Sequence, residues 1–102
     1  MTPFAILIKH KTQPGKRDEV LKVWMEHMAP AIATNPGHLS YTYCFDEGDP
    51  DSIYAFQEYA SVEASREFLK TESYAAYFKN VEPLLSGPPE ITALTPQWSK
   101  GA

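Results

Sequence analysis

Two side-chain types in this chain suit proton transfer and oxygen binding near neutral pH: three histidines and six tyrosines. An unperturbed imidazole titrates at about pH 6.5, so each histidine is a candidate general base. His27 lies on the flank of an apolar helical stripe, roughly 80° from its centre on a helical wheel. That places it at the edge of any pocket the stripe helps to wall. His10 falls at the polar end of a first strand and His38 at the start of a second. No two of the three have the spacing of metal ligands, so no metal site is expected.

The tyrosines fall among other aromatic residues. Tyr74, Tyr77, Phe78, Val81 and Leu85 recur at three- and four-residue steps, the mark of one helical face. Tyr74 opens that face, and its phenol can donate a hydrogen bond to a substrate oxygen. Trp24, on an earlier helical stripe, can stack on a planar ligand, and Phe68 can serve as an apolar wall. Tyr41 and Tyr43 share one face of a strand; one is expected in the core and the other at a pocket. The pattern predicts a pocket for a flat ligand, with Tyr74 and His27 as catalytic residues. Trp24, Tyr41, Tyr43, Phe68, Tyr77 and Phe78 would bind the substrate. The plainer role for each aromatic ring is core packing. The Gln57 amide does not titrate and is expected to hold strands or subunits in register. Cys44 reads as a packed small residue. Asp49 and Asp51 belong to a turn, because the ligand spacing of a calcium loop does not continue beyond them.

The elements that must position these residues follow from periodicity and breakers. Residues 4–12 open with Phe4-Ala5-Ile6-Leu7-Ile8 and read as a strand, ended by Pro14 and Gly15. Residues 16–35 read as a helix with Val20, Leu21, Trp24, Met28, Ala31 and Ile32 as its apolar stripe. Pro30 should kink it near its end, and Pro36-Gly37 stop it. Residues 38–45 alternate, with Leu39, Tyr41, Tyr43 and Phe45 on one face and His38, Ser40, Thr42 and Cys44 on the other. A turn over 46–52 leads to a returning strand over 53–59, which makes a hairpin. Ser61 caps a short helix through residue 70, and Thr71 caps a second over 72–85. Residues 90–95 form a last strand.

This order is a ferredoxin-like βαββαβ plan of α+β class: a four-stranded antiparallel sheet with helices on one face. The other face then needs cover. Ile53, Ala55 and Tyr59 are expected on it, and a second copy of the chain could supply that cover as a homodimer through the sheet face. The length of 102 residues suits one domain over 1–102, with its core over about 3–96 and a short C-terminal tail. The net charge of −4 and the scattered lysines and arginines speak against a nucleic-acid partner. No apolar run approaches the roughly 20 residues of a membrane span. One cysteine and no leader pattern lead to the expectation of an unprocessed, cytoplasmic protein.

Several short stretches carry a likeness to a known family. Pro14-Gly15-Lys16 precedes the first helix, and Pro36-Gly37 precedes the second strand. Gln57-Glu58-Tyr59-Ala60-Ser61 leads into Phe68-Leu69-Lys70-Thr71-Glu72-Ser73-Tyr74. Over residues 4–94 the chain resembles the antibiotic biosynthesis monooxygenase family of dimeric α+β barrels, which includes quinol monooxygenases and haem-degrading relatives. Family members often carry Glu where this chain has Gln57, and Trp or Tyr where it has Tyr59. Many have His or Trp at Phe68, and another common His position is Ser73. The iron-ligating His of haem-degrading members falls about at Phe78, which cannot bind iron. The tyrosine of some polyketide-oxidising members matches Tyr74.

The resemblance implies a cofactor-independent monooxygenase acting with O2 on a small aromatic or quinol-like substrate. Ground-state oxygen is a triplet, so a closed-shell substrate must first become electron-rich enough to give up one electron. Deprotonating a phenol or quinol in a dry cavity does this. The alternative is a non-catalytic small-molecule-binding or stress-responsive dimer of the same fold. A weaker third option is an isomerase or lyase on a lactone-like substrate. Fold alone does not choose among them.

Overall fold

The computed structural model describes residues 3–100, so the outermost two residues at each end of the expected 1–102 unit lie outside the described residues. Strands β1 (Phe4–Lys11), β2 (His38–Phe45), β3 (Ser52–Tyr59) and β4 (Glu90–Leu94) form one antiparallel sheet in the order β2-β3-β1-β4. Helices α1 (Arg17–His27), α2 (Ala29–Ala33), α3 (Val62–Phe68) and α4 (Glu72–Val81) complete the βαββαβ plan.

Proline sets two helix ends. The expected kink near Pro30 is a break: α1 stops at His27, and Pro30 stands in the first turn of α2. A proline there has no N–H to return to the carbonyl four residues back, and its ring crowds that carbonyl. In the same way α4 ends at Val81 rather than near Leu85, and a 3-10 turn over Glu82–Leu84 contains Pro83. Both expected caps are made. Ser61 Oγ accepts from the Ala64 N–H at 3.1 Å, and Thr71 Oγ1 accepts from the Tyr74 N–H at 3.2 Å.

Arg17 ties the start of α1 to the β2–β3 hairpin. Its Nη1 donates to the carbonyls of Asp46 and Asp49 at 2.9 Å each and of Ser52 at 3.2 Å. Its guanidinium lies 4.1 Å from the centre of the Phe45 ring. In the turn, Asp49 pairs with Lys11 and accepts from Ser52 Oγ at 2.8 Å. The Lys11 ammonium holds the Asp49 carboxyl well below the usual range.

The core lies between the sheet and the helices. Val20, Trp24 and Met28 of the first helical stripe meet Tyr77 and Val81 of α4, Phe68 of α3, and Ile53 and Tyr59 of β3. Pairing fixes which sheet face this is. Phe4, Ile6, Ile8 and His10 stand opposite Tyr59, Gln57, Ala55 and Ile53, and paired residues point the same way. The face with Ile53, Ala55 and Tyr59 is therefore the covered one, which corrects the expectation that it lay open. The uncovered face carries Leu7, Tyr54, Phe56 and Leu94 instead. β3 has apolar residues on both faces, so its alternation alone does not say which is covered; the β1 register does.

A second correction concerns His38. The β2–β3 register shifts between His38 and Ser40, a bulge that places one extra residue in β2. Tyr41 and Tyr43 keep the expected face toward the helices. His38, expected beside Ser40 and Thr42, pairs with Tyr59 and turns inward instead.

Candidate active site

A cavity of about 170 Å³ opens between the helices and the covered sheet face. It exists because two positions on its walls are small: Ala55 on β3 and Ser65 on α3, both buried. An apolar cavity of about 150 Å³ stays dry and accepts benzene, so this one has room for a single aromatic ring. Leu69, Phe78 and Ile91 line it and are also exposed, which marks its mouth between the helix pair and β4.

The helices bring Trp24, Phe68, Tyr74, Tyr77 and Phe78 to this cavity, and β2 brings Tyr41 and Tyr43. Both strand tyrosines line it, where one had been expected in the core. Trp24 lies between them, its ring centroid 4.5 Å from Tyr43 and 5.4 Å from Tyr41. His27 is different: as the last residue of α1 it is not among the lining residues. Its position on the flank of the Trp24 stripe leaves it off the cavity wall. Of the two residues expected to be catalytic, Tyr74 lines the cavity and His27 does not.

Sequence reasoning underrated three other polar residues. His10 and Gln57 line the cavity, and Tyr59 closes its wall. His10 belongs to the covered face through its pairing with Ile53 and is not at a wet end. Its Nδ1 is buried without a hydrogen-bond partner, and burial lowers the pKa of the ring. It is therefore a neutral imidazole at neutral pH, the form that accepts a proton. Gln57, expected to hold a register, is 4% exposed and points into the same space. The strict alternation of β3 from Ile53 to Tyr59 carried this information once the inward face was known.

The phenols stay protonated. Burial pushes Tyr41 up to about 12, with Trp24 pulling slightly the other way. Burial likewise raises Tyr43, Tyr59, Tyr74 and Tyr77, and the neighbouring phenols add to it for all but Tyr74. Neutral phenols can donate hydrogen bonds. Tyr43 Oη and Trp24 Nε1 are buried and have no hydrogen-bond partner among the described residues. Among the described residues, no Lys, Arg, Asp or Glu lines the cavity. Among the described residues, no group of three His, Cys, Asp or Glu comes together to hold a metal. No helix among them is long and apolar enough to cross a membrane.

The chain is a ferredoxin-like α+β domain with an aromatic, hydroxyl-lined chamber beneath its helices. The antibiotic biosynthesis monooxygenase family model matches residues 3–80, and the chain belongs to that family. Among solved structures, one is a protein of Chloroflexus aurantiacus provisionally named an antibiotic biosynthesis monooxygenase. It is 25% identical with a TM-score of 0.85, over 98% of each chain. Another, of Caulobacter crescentus and named in the same provisional way, is 25% identical with a TM-score of 0.88, over 95% of this chain and 92% of that one. A third, from Nitrosomonas europaea, reaches a TM-score of 0.88 at 13% identity, over 98% of this chain and 95% of that one; it shows the fold alone. No curated protein matches the chain.

Proposed function

We propose that the protein is a cofactor-independent monooxygenase that oxidises a small phenol or quinol with O2. The observation that carries this reading is a cavity of one-ring size in which a neutral, desolvated imidazole faces several protonated phenols. His10 takes the role first given to His27. It accepts the phenol proton, and Tyr43, Tyr74 and Trp24 donate to the resulting oxyanion. The phenolate gives one electron to O2, the radical pair joins at a ring carbon as a peroxide anion, and His10 returns its proton to make the hydroperoxide. Loss of the proton on that carbon and of hydroxide leaves a quinone and water, with one oxygen atom in each. Exclusion of water keeps the reduced oxygen from escaping before it recombines. Family membership and the provisional names of the Chloroflexus and Caulobacter proteins support the same class of reaction.

The working unit in this reading is a homodimer in the cytoplasm. The open sheet face carries Leu7, with Phe56 40% and Leu94 38% exposed, and among the described residues no helix covers it. Apolar residues at the centre of a bare sheet favour a second sheet against them. The single exposed Cys44 fits a reducing compartment.

The test is oxygen uptake by metal-stripped protein with monocyclic phenols and hydroquinones. Uptake that falls at least about tenfold in His10→Gln supports the assignment. Tight binding of the same compounds with no uptake would sink it in favour of a binding protein.

A further inference from the structure

Two hydrogen-bonded pairs of polar side chains stand behind the cavity wall: Asn35 with His38, and Tyr59 with Gln57. The Gly37 N–H donates to Asn35 Oδ1 at 3.2 Å, which fixes the Asn35 amide with its nitrogen toward His38. Asn35 Nδ2 lies 2.8 Å from His38 Nδ1 and donates to it. Nδ1 is then an acceptor, and the hydrogen of the neutral ring is on Nε2. Burial lowers the pKa of the ring. Gln57 Oε1 accepts the Tyr59 hydroxyl at 2.5 Å. On the protein side the Tyr59 O–H presents its hydrogen to Gln57, while His38 Nε2 is buried without a hydrogen-bond partner among the described residues. The carbonyl end of its amide therefore belongs to the wall, and the NH2 end is left for the cavity that Gln57 lines.

We propose that the Gln57 carboxamide N–H is an oxyanion-binding donor that makes the cavity select aromatic ligands in their phenolate form. The claim rests on the reading of the cavity as an aromatic-substrate site. Among the described residues no Lys or Arg lines the chamber and burial favours neutral His10, so a phenolate that binds already ionised must be met by neutral donors. Gln57 adds one to Tyr43 Oη and Trp24 Nε1, which have no hydrogen-bond partner among the described residues. A carboxylate at position 57 would repel the same oxyanion, so the choice of amide over acid decides which protonation state is held. Tyr59 is a positioning residue: its hydroxyl fixes which end of the amide faces the ligand.

The probe is 4-nitrophenol at a pH where it is ionised in solution, compared with nitrobenzene, which has nearly the same shape and no charge. Gln57→Met should weaken nitrophenolate binding about tenfold or more, the usual worth of a hydrogen bond to a charged group, and change nitrobenzene binding about twofold at most. Gln57→Glu should weaken the anion further still. Thermal unfolding of both variants confirms that they are folded at the assay temperature. Equal losses for both ligands in Gln57→Met, undiminished anion binding in Gln57→Glu, or no binding of nitrophenolate to the native protein would each overturn the proposal. Oxygen consumption plays no part in these measurements. A protein that selects the anion but consumes no oxygen keeps this inference and loses the monooxygenase reading.

Discussion

His38 and Tyr59 face each other across β2 and β3, with ring centroids 4.4 Å apart and planes inclined by 39°. The contact depends on the bulge after His38, and it fills the space behind Gln57. It also places an ionisable ring where charging is unfavourable, since Phe68 packs edge-on against His38 at 4.6 Å.

That burial has a pH signature. His38 and His10 both have lowered pKa values in the folded protein, burial being the first cause in each. Below the ordinary value of 6.5 the unfolded chain binds more protons than the folded one, so stability rises with pH there. The contribution is complete above the unfolded value and is lost as pH falls through the folded values. Melting temperatures between about pH 7.5 and about pH 5 should therefore fall steadily, and the His10→Gln, His38→Gln double variant should flatten that slope. A slope unchanged by both substitutions would mean that other groups cause it.

Tyr59→Phe removes the hydroxyl that Gln57 Oε1 accepts and leaves a buried carbonyl unpaired. The expected cost is about 1–3 kcal/mol in denaturant unfolding. Adding Gln57→Leu removes both partners together, so the double variant should lose less than the sum of the two single losses. Strict additivity would show that the pair contributes nothing as a pair.

Ala55→Leu places a larger side chain into the floor of the cavity, at a position 1% exposed. Overpacking should cost about 1–3 kcal/mol, and ligand affinity should fall by about tenfold or more. Titration of the folded variant with nitrobenzene checks this. Unchanged affinity would place the ligand elsewhere.

Phe56→Asp puts a charge in the middle of the open sheet face, beside Leu7 and Thr42 in the pairing register. Sedimentation should give a dimer for the native chain and a monomer for the variant, because an unpaired carboxylate resists burial between two sheets. A native chain that sediments as a monomer would remove the proposed interface.

The order and type of the elements were legible in the sequence because each depends on local signals. Ser61 and Thr71 announce helix starts, Pro14-Gly15 announces a strand end, and the Tyr41-to-Phe45 alternation announces a strand. The aromatic lining was legible for the same reason: Trp24, Tyr74, Tyr77 and Phe78 lie on apolar helical stripes, and such stripes face the sheet. His10 and Gln57 gave no comparable signal. Each is a single polar residue on an alternating strand, and alternation divides two faces without saying which one is inside.

By itself, then, the chain's pattern of apolar residues, caps and prolines determined the βαββαβ order and the set of rings available to wall a pocket. Only the tertiary structure decided that the face with Ile53, Ala55 and Gln57 is the buried one, and that a bulge swings His38 inward. It also decided that His10 and not His27 reaches the cavity. Local periodicity is a property of a few neighbouring residues, whereas the inward face and the depth of a side chain are fixed by pairing between strands distant in sequence, here β1 with β3.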